Sequence, residues 1–401
     1  MNDPDHNFFE RVKQLSPELQ LLLWSVRVDD KLKNIPGKYL NTKRSIADIE
    51  QFKRLSFSMG LLPVFYKKLK MLDRENIDRQ LYEIFKEAYM EILSRNIKLS
   101  NKLERIFQLL KKNDLDLIAF KGPMLGLIAY NDIAFRSSSD LDFMVSNDEF
   151  SRVVDELREI GFSTLFPYQK KIIKYLSRSW RDIHLTKGFY HLDIHQQFAQ
   201  GPSFFRINEK NMEHSRKVKL NNIEISTFSP EDSLVLMAIN CAKDGFSSLK
   251  HFRDIAGIVL NNPELNWKRL FASSKEKRSL KIVMISLKLS QIFCGLELPE
   301  NVLEQTDSGT VKKKADEIAD RILTSGFKTD MLTSYFSFAG SLDTILSKFR
   351  FYLWYFMYPS PHIHSGIFKL PDKLFFLIRI ISPFYLFFNH LSRLIRSKPG
   401  K

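Results

Sequence analysis

The sequence predicts an α+β protein, in which a small mixed-sheet core lies between an N-terminal helical region and a C-terminal helical domain. Apolar residues recur at helical spacing up to about residue 115, short apolar runs typical of strands follow, and helical patterns return from residue 229. We therefore expect a helical region at 1–115, an α/β core at 116–228, a helical domain at 229–335 and an aromatic-rich basic segment at 336–401. A chain of 401 residues exceeds the usual size of one domain, which agrees with this division.

The N-terminal region is predicted to be helical from the spacing of its apolar residues. In RQLYEIFKEAYMEILSRNIKLSNKLERIFQLLKK they recur every three or four positions, with Lys, Arg and Glu between them. This pattern is typical of an amphipathic helix packed on a core. It stops at Asn113 and Asp114, which favour a turn.

The middle segment alternates between strand and helix patterns. DLDLIAF is a short apolar run, PMLGLIAY a short helix opened by proline, DLDFMV a second strand and NDEFSRVVDELREIGF a second helix. RDIHLTK and FYHLDIHQQF are two further strand candidates, and Lys187 and Gly188 between them favour a hairpin. After NNIEISTF, the helical domain is predicted to begin with Ser229 as a helix cap and Pro230 in the first turn.

Composition restricts the class of protein. The net charge of +15 favours anionic partners such as nucleotides, nucleic acid or an acidic membrane surface. Cys241 and Cys294 occur in no metal-ligand spacing, so neither a disulfide framework nor a zinc site is expected, and a reducing cytoplasm fits best. The N-terminus lacks the basic head and apolar stretch of a signal peptide, which also favours a cytoplasmic protein.

The strand DLDFMV carries two aspartates one residue apart. Because side chains alternate along a strand, Asp140 and Asp142 are expected on one face, with Leu141 and Phe143 on the other. Two neighbouring carboxylates repel each other unless a positive charge lies between them, and a hard divalent cation is the usual partner. The alternative is a strand end whose aspartates simply face water.

Two neighbouring features point to phosphate chemistry. Lys121 and Gly122 lead from the first strand into a helix N-terminus, where free amides and the helix dipole favour phosphate, and glycine permits close backbone approach. Asp193, in HLDIH, supplies a third carboxylate on a further strand. Three carboxylates facing a phosphate-binding turn could hold two magnesium ions for phosphoryl or nucleotidyl transfer.

The order of these features resembles the uncharacterised nucleotidyltransferase family of the polymerase-beta-like superfamily. The resemblance rests on the Lys-Gly turn, Arg136 shortly before DLDFMV, the helix ending in REIGF and the strand LDIHQQF, and it extends over roughly residues 20 to 330. It implies that Asp140 and Asp142 chelate the metals, and that Asp193 completes the site and helps to deprotonate the acceptor. The superfamily usually has a Gly-Ser pair at the phosphate turn, whereas this chain has Lys121-Gly122-Pro123, which moves the contact toward Lys121.

Several basic residues are candidates for contact with a triphosphate. Lys121 could neutralise it as a point charge and Arg136 could bind phosphate in a bidentate fashion, although Arg136 in a structural ion pair is the alternative. Lys250 and Asp254 share one helical face, as in an ordinary surface ion pair. The resemblance implies a second interpretation, in which this helix closes over the nucleotide and presents Lys243 or Lys250 to the phosphates, while Asp254 anchors the helix to the core.

His195 and the C-terminal tail leave alternatives open. His195 faces the same side of its strand as Asp193, either as a catalytic base or as a hydrogen-bonding neighbour of the site.

The tail contains FRFYLWYFMYPSP and KLFFLIRIISPFYLFFNHLSRLIRSK, and Arg379 and Pro383 interrupt its best candidate for a membrane span. These segments are expected either to pack back on the protein or to lie on an anionic membrane surface.

Together with the resemblance, these features predict a cytoplasmic enzyme that uses magnesium and a nucleoside triphosphate, with ATP as first choice. Its C-terminal segment is a candidate for peripheral contact with an anionic membrane. The expected acceptor is a small molecule, a peptide or protein side chain, or an RNA terminus, because the site and not the fold determines the substrate. The alternative is a non-catalytic scaffold with the same fold that docks on a membrane surface or a protein partner.

Overall fold

The computed structural model describes residues 4–164, 182–199, 202–207 and 209–357, together with 377, 380, 381, 383 and 384. The α-helices are α1 Pro4–Lys13, α2 Pro17–Val26, α3 Ile35–Tyr39, α4 Ile46–Ser58, α5 Leu62–Leu69, α6 Arg79–Lys112, α7 Gly122–Tyr130, α8 Phe150–Glu159, α9 Glu209–Glu213, α10 Pro230–Lys243, α11 Leu249–Leu260, α12 Trp267–Glu276, α13 Leu280–Cys294, α14 Glu300–Thr306, α15 Gly309–Ser325, α16 Met331–Gly340 and α17 Ile345–Met357. The strands are β1 Leu117–Ala119, β2 Leu141–Val145, β3 Ser163–Thr164, β4 Asp182–Lys187, β5 Tyr190–His195, β6 Arg216–Leu220 and β7 Ile223–Thr227.

The long helix predicted before residue 113 is confirmed as α6, which has 34 residues. Asp78 caps its N-terminus, where the Asp78 carboxylate accepts a hydrogen bond from the Leu81 backbone amide at 2.9 Å, and Asn113 caps its C-terminus. Asp114 then adopts a positive φ of 51°, as a turn residue. The buried apolar residues in its C-terminal half, from Leu99 to Leu110, share a cluster with the sheet, whereas those in its N-terminal half, from Leu81 to Ile92, pack with the other helices.

The main sheet has five strands in the order β1-β2-β5-β4-β3 and is mixed, as predicted. β2 is parallel to β5, whereas β1, although joined to β2 through α7, pairs with it antiparallel. The predicted hairpin is confirmed, because β4 and β5 pair antiparallel with Lys187 opposite Tyr190 across a two-residue turn. β6 and β7 form a separate two-stranded hairpin.

The helix predicted at residue 230 is also confirmed. The Ser229 hydroxyl accepts a hydrogen bond from the Asp232 amide at 3.2 Å, and Pro230 is the first residue of α10. α10 packs on α11, α12 and α13, and most of its length is buried. The end of α10 lies near the sheet and thus positions Lys243 close to the charged residues described below.

Buried apolar side chains form two clusters. One unites the N-terminal helices with the helices after residue 229, and the other lies between the sheet, α6 and α8. The N-terminal and C-terminal helices thus share one hydrophobic core although the α/β segment separates them in sequence. The four-segment division proposed from the sequence stays a prediction.

The first aromatic part of the tail, in its described residues, forms α17 and packs on α16. Phe351 is buried and its ring lies 4.9 Å from that of Phe338, measured between centroids. The opposite face of α17 exposes Phe349 and Leu353. The second segment, from Lys373 onward, lies outside the described residues apart from five positions, and no helix in the described part is long and apolar enough to cross a membrane.

Candidate functional site

The candidate site lies where the two central parallel strands run side by side. Asp142 of β2 is directly opposite Asp193 of β5, in a register that follows from the pairing of Leu141 with Leu192. Potential ligand atoms of Asp142, Asp193 and His195 all lie within 4.8 Å of one another. Because side chains two residues apart on a strand share a face, β5 presents both its aspartate and its histidine toward Asp142.

Asp142 is buried, with 3% of its surface exposed, and two cationic or potentially cationic groups contact one of its oxygens. Lys121 Nζ donates to Oδ1 at 2.9 Å and His195 Nε2 lies 3.1 Å from the same atom. Burial alone would raise the pKa of Asp142, but the charge of Lys121 and the hydrogen bond to His195 outweigh it and hold this pKa well below its usual range. The second oxygen, Oδ2, is also buried and has no hydrogen-bond partner among the described residues.

Asp140 lies one residue before β2 and is partly exposed. It is not a member of the cluster within 4.8 Å, yet it interacts with both other aspartates. Burial raises the pKa of Asp140, and the negative charges of Asp142 and Asp193 raise it further. The three predicted carboxylates therefore repel one another across a short distance, as expected of a site that binds a cation.

The turn before α7 lies against the backbone of Asp140. Gly122 has a φ of +55°, and a Cβ atom at this position would lie 2.9 Å from the Asp140 carbonyl oxygen. The Phe120 amide donates to the Asp142 carbonyl at 3.3 Å, which links the same turn to β2. The Lys121 side chain, at the cap position of α7, makes no capping hydrogen bond within the described part of the chain. Glycine is therefore required here both for its backbone conformation and for its lack of a side chain.

His184 was not identified from the sequence, although it contacts a predicted site residue. It lies opposite Asp193 in the β4–β5 hairpin, and its Nδ1 is 2.5 Å from Asp193 Oδ1. This hydrogen bond is the main cause of a raised pKa of His184. The His191 ring stacks on His184, with 5.5 Å between centroids. The observed turn is Gly188–Phe189, which places residue 184 opposite residue 193, whereas a turn at Lys187 and Gly188, as predicted, would have placed residue 184 opposite residue 191.

Arg136 occupies a buried ion pair. Its Nε donates to Asp254 Oδ2 at 3.0 Å, and Tyr130 Oη donates to the other carboxylate oxygen at 2.7 Å. Asn96, which is fully buried on α6, donates to the Arg136 carbonyl at 2.8 Å. These bonds join α6, the loop before β2 and α11. The structure thus agrees with the structural ion-pair interpretation of Arg136, and phosphate contact by this residue stays a prediction.

Lys250 and Lys243 occupy different positions relative to the site. Lys250 Nζ donates to the Ser137 carbonyl at 3.2 Å, and burial, together with the charge of Arg136, lowers its pKa to about 8. Lys250 therefore supports the loop that precedes the aspartates. Lys243, at the end of α10, is exposed, although surrounding protein and then the charge of Lys121 lower its pKa. Of the two, Lys243 is the more exposed residue.

The donor set is suitable for a hard divalent cation. Asp140 and Asp193 are partly exposed carboxylates, and Asp142 Oδ2 is a buried carboxylate oxygen without a hydrogen-bond partner among the described residues. Magnesium prefers oxygen ligands of this kind, whereas a nitrogen ligand such as His195 is less typical. The residues present thus fit magnesium through their carboxylates.

Comparisons with known proteins identify the family of this chain. The search of solved structures finds an antigenic nucleotidyltransferase-like protein from Paracoccidioides brasiliensis, at 15% identity over 51% of this chain and 96% of that chain, with a TM-score of 0.33. No curated protein matches. A family model described as "uncharacterised nucleotidyltransferase" matches residues 45–295, which include every candidate site residue named above. The chain therefore belongs to the uncharacterised nucleotidyltransferase family, whose general role is nucleotidyl transfer.

Proposed function

We propose that this protein is a magnesium-dependent nucleotidyltransferase that moves a nucleoside monophosphate from a nucleoside triphosphate to an acceptor and releases pyrophosphate. One observation carries the proposal: Asp142 and Asp193 lie opposite each other on adjacent parallel strands, and Asp142 keeps a buried oxygen without a hydrogen-bond partner in the described part of the chain. A buried carboxylate oxygen is costly to leave unpaired, so a cation there would also relieve a local penalty.

The carboxylates of Asp140, Asp142 and Asp193 would hold the metal. Bound magnesium would supply positive charge for the triphosphate and would make the acceptor oxygen easier to deprotonate. Lys121 already donates to Asp142, and its ammonium group is close enough to add a fixed positive charge at the phosphates. Helix α7 begins beside it and adds the positive end of its helix dipole.

Asp193 is the proposed acceptor of the proton. In the transfer step, the acceptor oxygen forms a bond to the α-phosphorus while the bond from that phosphorus to the bridging oxygen breaks, and pyrophosphate leaves with the electron pair. The acceptor proton passes to Asp193, which His184 holds in place through a hydrogen bond. The acceptor itself remains one of three classes: a small molecule, a peptide or protein side chain, or an RNA terminus.

Calorimetric titration with ATP, GTP, CTP and UTP analogues that carry an α,β-methylene group tests this proposal. The wild type is expected to bind at least one analogue in a magnesium-dependent manner, and Asp142→Asn is expected to weaken that binding by at least about 100-fold, because a metal ligand loses its charge. Asp155→Asn, at an exposed acid on α8, is the matched control and should leave binding unchanged.

The outcome also separates the enzyme from the scaffold alternative. If the wild type binds none of the four analogues with magnesium, the metal-nucleotide site does not exist and a non-catalytic scaffold becomes the better interpretation. If Asp142→Asn binds as tightly as the wild type, magnesium is held elsewhere. Binding that is lost in Asp142→Asn alone supports the site and justifies a search for the acceptor.

A further inference from the structure

A cavity of about 480 Å³ lies at the C-terminal end of α10, between that end and helices α16 and α17. Its volume is within the range of pockets that hold small organic ligands. The family model ends at residue 295, so α16 and α17, which form one wall of the cavity, lie beyond the residues that it matches. The cavity is therefore built partly from residues outside the family match.

The two sides of the cavity differ in chemistry. Tyr335, Phe338, Phe351 and Trp354 supply an aromatic wall, of which Phe338 and Phe351 are buried. The other side carries the polar groups Asp244, Ser248 and Thr329. A flat heteroaromatic ring suits this combination, because its faces can stack on aromatic side chains while its edge forms hydrogen bonds.

Lys243 connects this cavity with the candidate site. Its side chain lines the cavity, while the charges of Lys121 and Asp142 influence its pKa. Lys243 therefore lies near both the cavity and the charged residues of the candidate site, so the cavity is close enough to accommodate the remainder of a nucleotide whose phosphates bind there.

The cavity wall is fixed by specific contacts. Arg321 of α15 donates to the Gly245 carbonyl and, at 2.8 Å, to the Ser337 hydroxyl, so it ties the end of α10 to α16. Gly245 has a φ of +65°, and a Cβ atom there would lie 2.9 Å from Ser334 Oγ. Close packing of these elements means that the cavity exists before any ligand binds, which reduces the entropic cost of binding.

We propose that this cavity binds the nucleobase of the nucleoside triphosphate, and this inference rests on the proposed function. Tyr335 and Trp354 stack on the ring. The Asp244 carboxylate, 59% of whose side chain is exposed, accepts a hydrogen bond from an exocyclic amino group. The amino-bearing bases adenine, cytosine and guanine therefore bind more tightly than uracil, which has no such group.

The test compares two probes, each with magnesium: the α,β-methylene analogue of ATP and inorganic tripolyphosphate, which has no base. Tyr335→Ala is expected to weaken binding of the ATP analogue by about 5-fold to about 100-fold, as for the loss of one base-stacking aromatic ring, and to leave tripolyphosphate binding unchanged. Phe336→Ala is the matched control, because Phe336 is the next residue of α16, is 62% exposed and does not line the cavity.

A second variant keeps the test independent of any folding defect in Tyr335→Ala. Asp244→Asn changes an exposed side chain and should reduce the preference for the ATP analogue over the UTP analogue, with tripolyphosphate binding unchanged. The unfolding midpoint of Tyr335→Ala shows whether this variant is folded. The proposal is overturned if folded Tyr335→Ala and Asp244→Asn both bind all probes as the wild type does, and the cavity is then left for the acceptor. In that case, magnesium-dependent binding of tripolyphosphate still supports the proposed function. If neither probe binds to the wild type, both proposals fail together.

Discussion

At the scale of single residues, two glycines with similar backbone angles allow the turn before α7 to be tested. Gly122 and Gly188 have φ values of +55° and +58°, but a Cβ atom would contact the Asp140 carbonyl at Gly122 and nothing within 4 Å at Gly188. Gly188→Ala is expected to cost about 1 kcal/mol, from the backbone conformation alone. Gly122→Ala should cost more and should also weaken binding of the magnesium–ATP analogue, because Asp140 must move.

Urea unfolding and calorimetry on the two variants measure these effects separately. The nucleotide affinities of the two variants are to be compared at equal free energies of unfolding, which can be reached by measuring each variant at its own temperature. Equal nucleotide affinity in Gly122→Ala and Gly188→Ala would show that the turn and Asp140 are not part of one binding site.

The ion pair between Arg136 and Asp254 leads to a prediction about stability. Arg136→Met leaves the buried Asp254 carboxylate with Tyr130 as its hydrogen-bond donor, and we expect a loss of about 3 kcal/mol in the free energy of unfolding. Arg158→Met, which removes a surface pair to Asp155, is the control and should cost less than about 1 kcal/mol. If Arg136→Met keeps wild-type stability in urea but loses nucleotide binding, Arg136 contacts phosphate rather than supporting α11.

At the scale of elements, strand β4 is predicted to position the carboxylate of Asp193, the proposed acceptor of the proton, through His184. His184→Ala removes the hydrogen bond to Asp193, and the magnesium concentration needed for half-maximal binding of the ATP analogue is expected to rise about 10-fold or more. His184→Asn should restore part of this loss, because an amide can also donate to the carboxylate. His191→Ala is the control on the same hairpin. Equal effects of Ala at positions 184 and 191 would contradict a positioning role for His184.

Elements that depend on residues close together in the sequence could be predicted, whereas contacts between distant residues could not. The α6 helix and the β4–β5 hairpin follow from local patterns, namely apolar spacing over 34 residues and a glycine, Gly188, in a two-residue turn between the strands. The partner of Arg136 is 118 residues away, and local periodicity contains no information about that pairing. Charge alternation on α11 indicated that Asp254 would pair with a cation, but it favoured Lys250, four residues earlier, and Lys250 instead donates to the Ser137 carbonyl.

At the scale of the whole molecule, the N-terminal and C-terminal helices share one hydrophobic cluster. Sequence order places the sheet between them, so the four consecutive segments were a natural prediction. A core formed by residues more than 200 positions apart could not be predicted from periodicity. The same limitation applies to the cavity beside Lys243, whose aromatic wall comes from α16 and α17. The aromatic tail indicated an apolar surface, but the sequence did not show that its first part would line a cavity near the candidate site.

This shared core contains a buried group that makes stability depend on pH. His251 lies on α11, with 13% of its side chain exposed, and burial lowers its pKa to about 4. Asp244 and Asp254 favour its protonated form, whereas Lys250 and Arg136 oppose it. The unfolded chain therefore takes up a proton near the ordinary histidine pKa of 6.5, while the folded protein does so only near 4.

Acidification should consequently destabilise the fold over this window, because the unfolded state binds more protons than the folded state. The contribution of His251 is fully present above about pH 6.5 and declines as the pH falls toward 4, by up to about 3 kcal/mol. Urea unfolding of the wild type and of His251→Gln, at about pH 7 and at about pH 4.5, measures this contribution of His251 to the free energy of unfolding. The wild type should lose more stability than the variant on acidification, whereas His214→Gln, at an exposed histidine on the surface, should behave as the wild type does. The same loss in all three proteins would show that His251 is accessible to protons in the folded state, and that α11 packs less tightly against α10 than its contacts indicate.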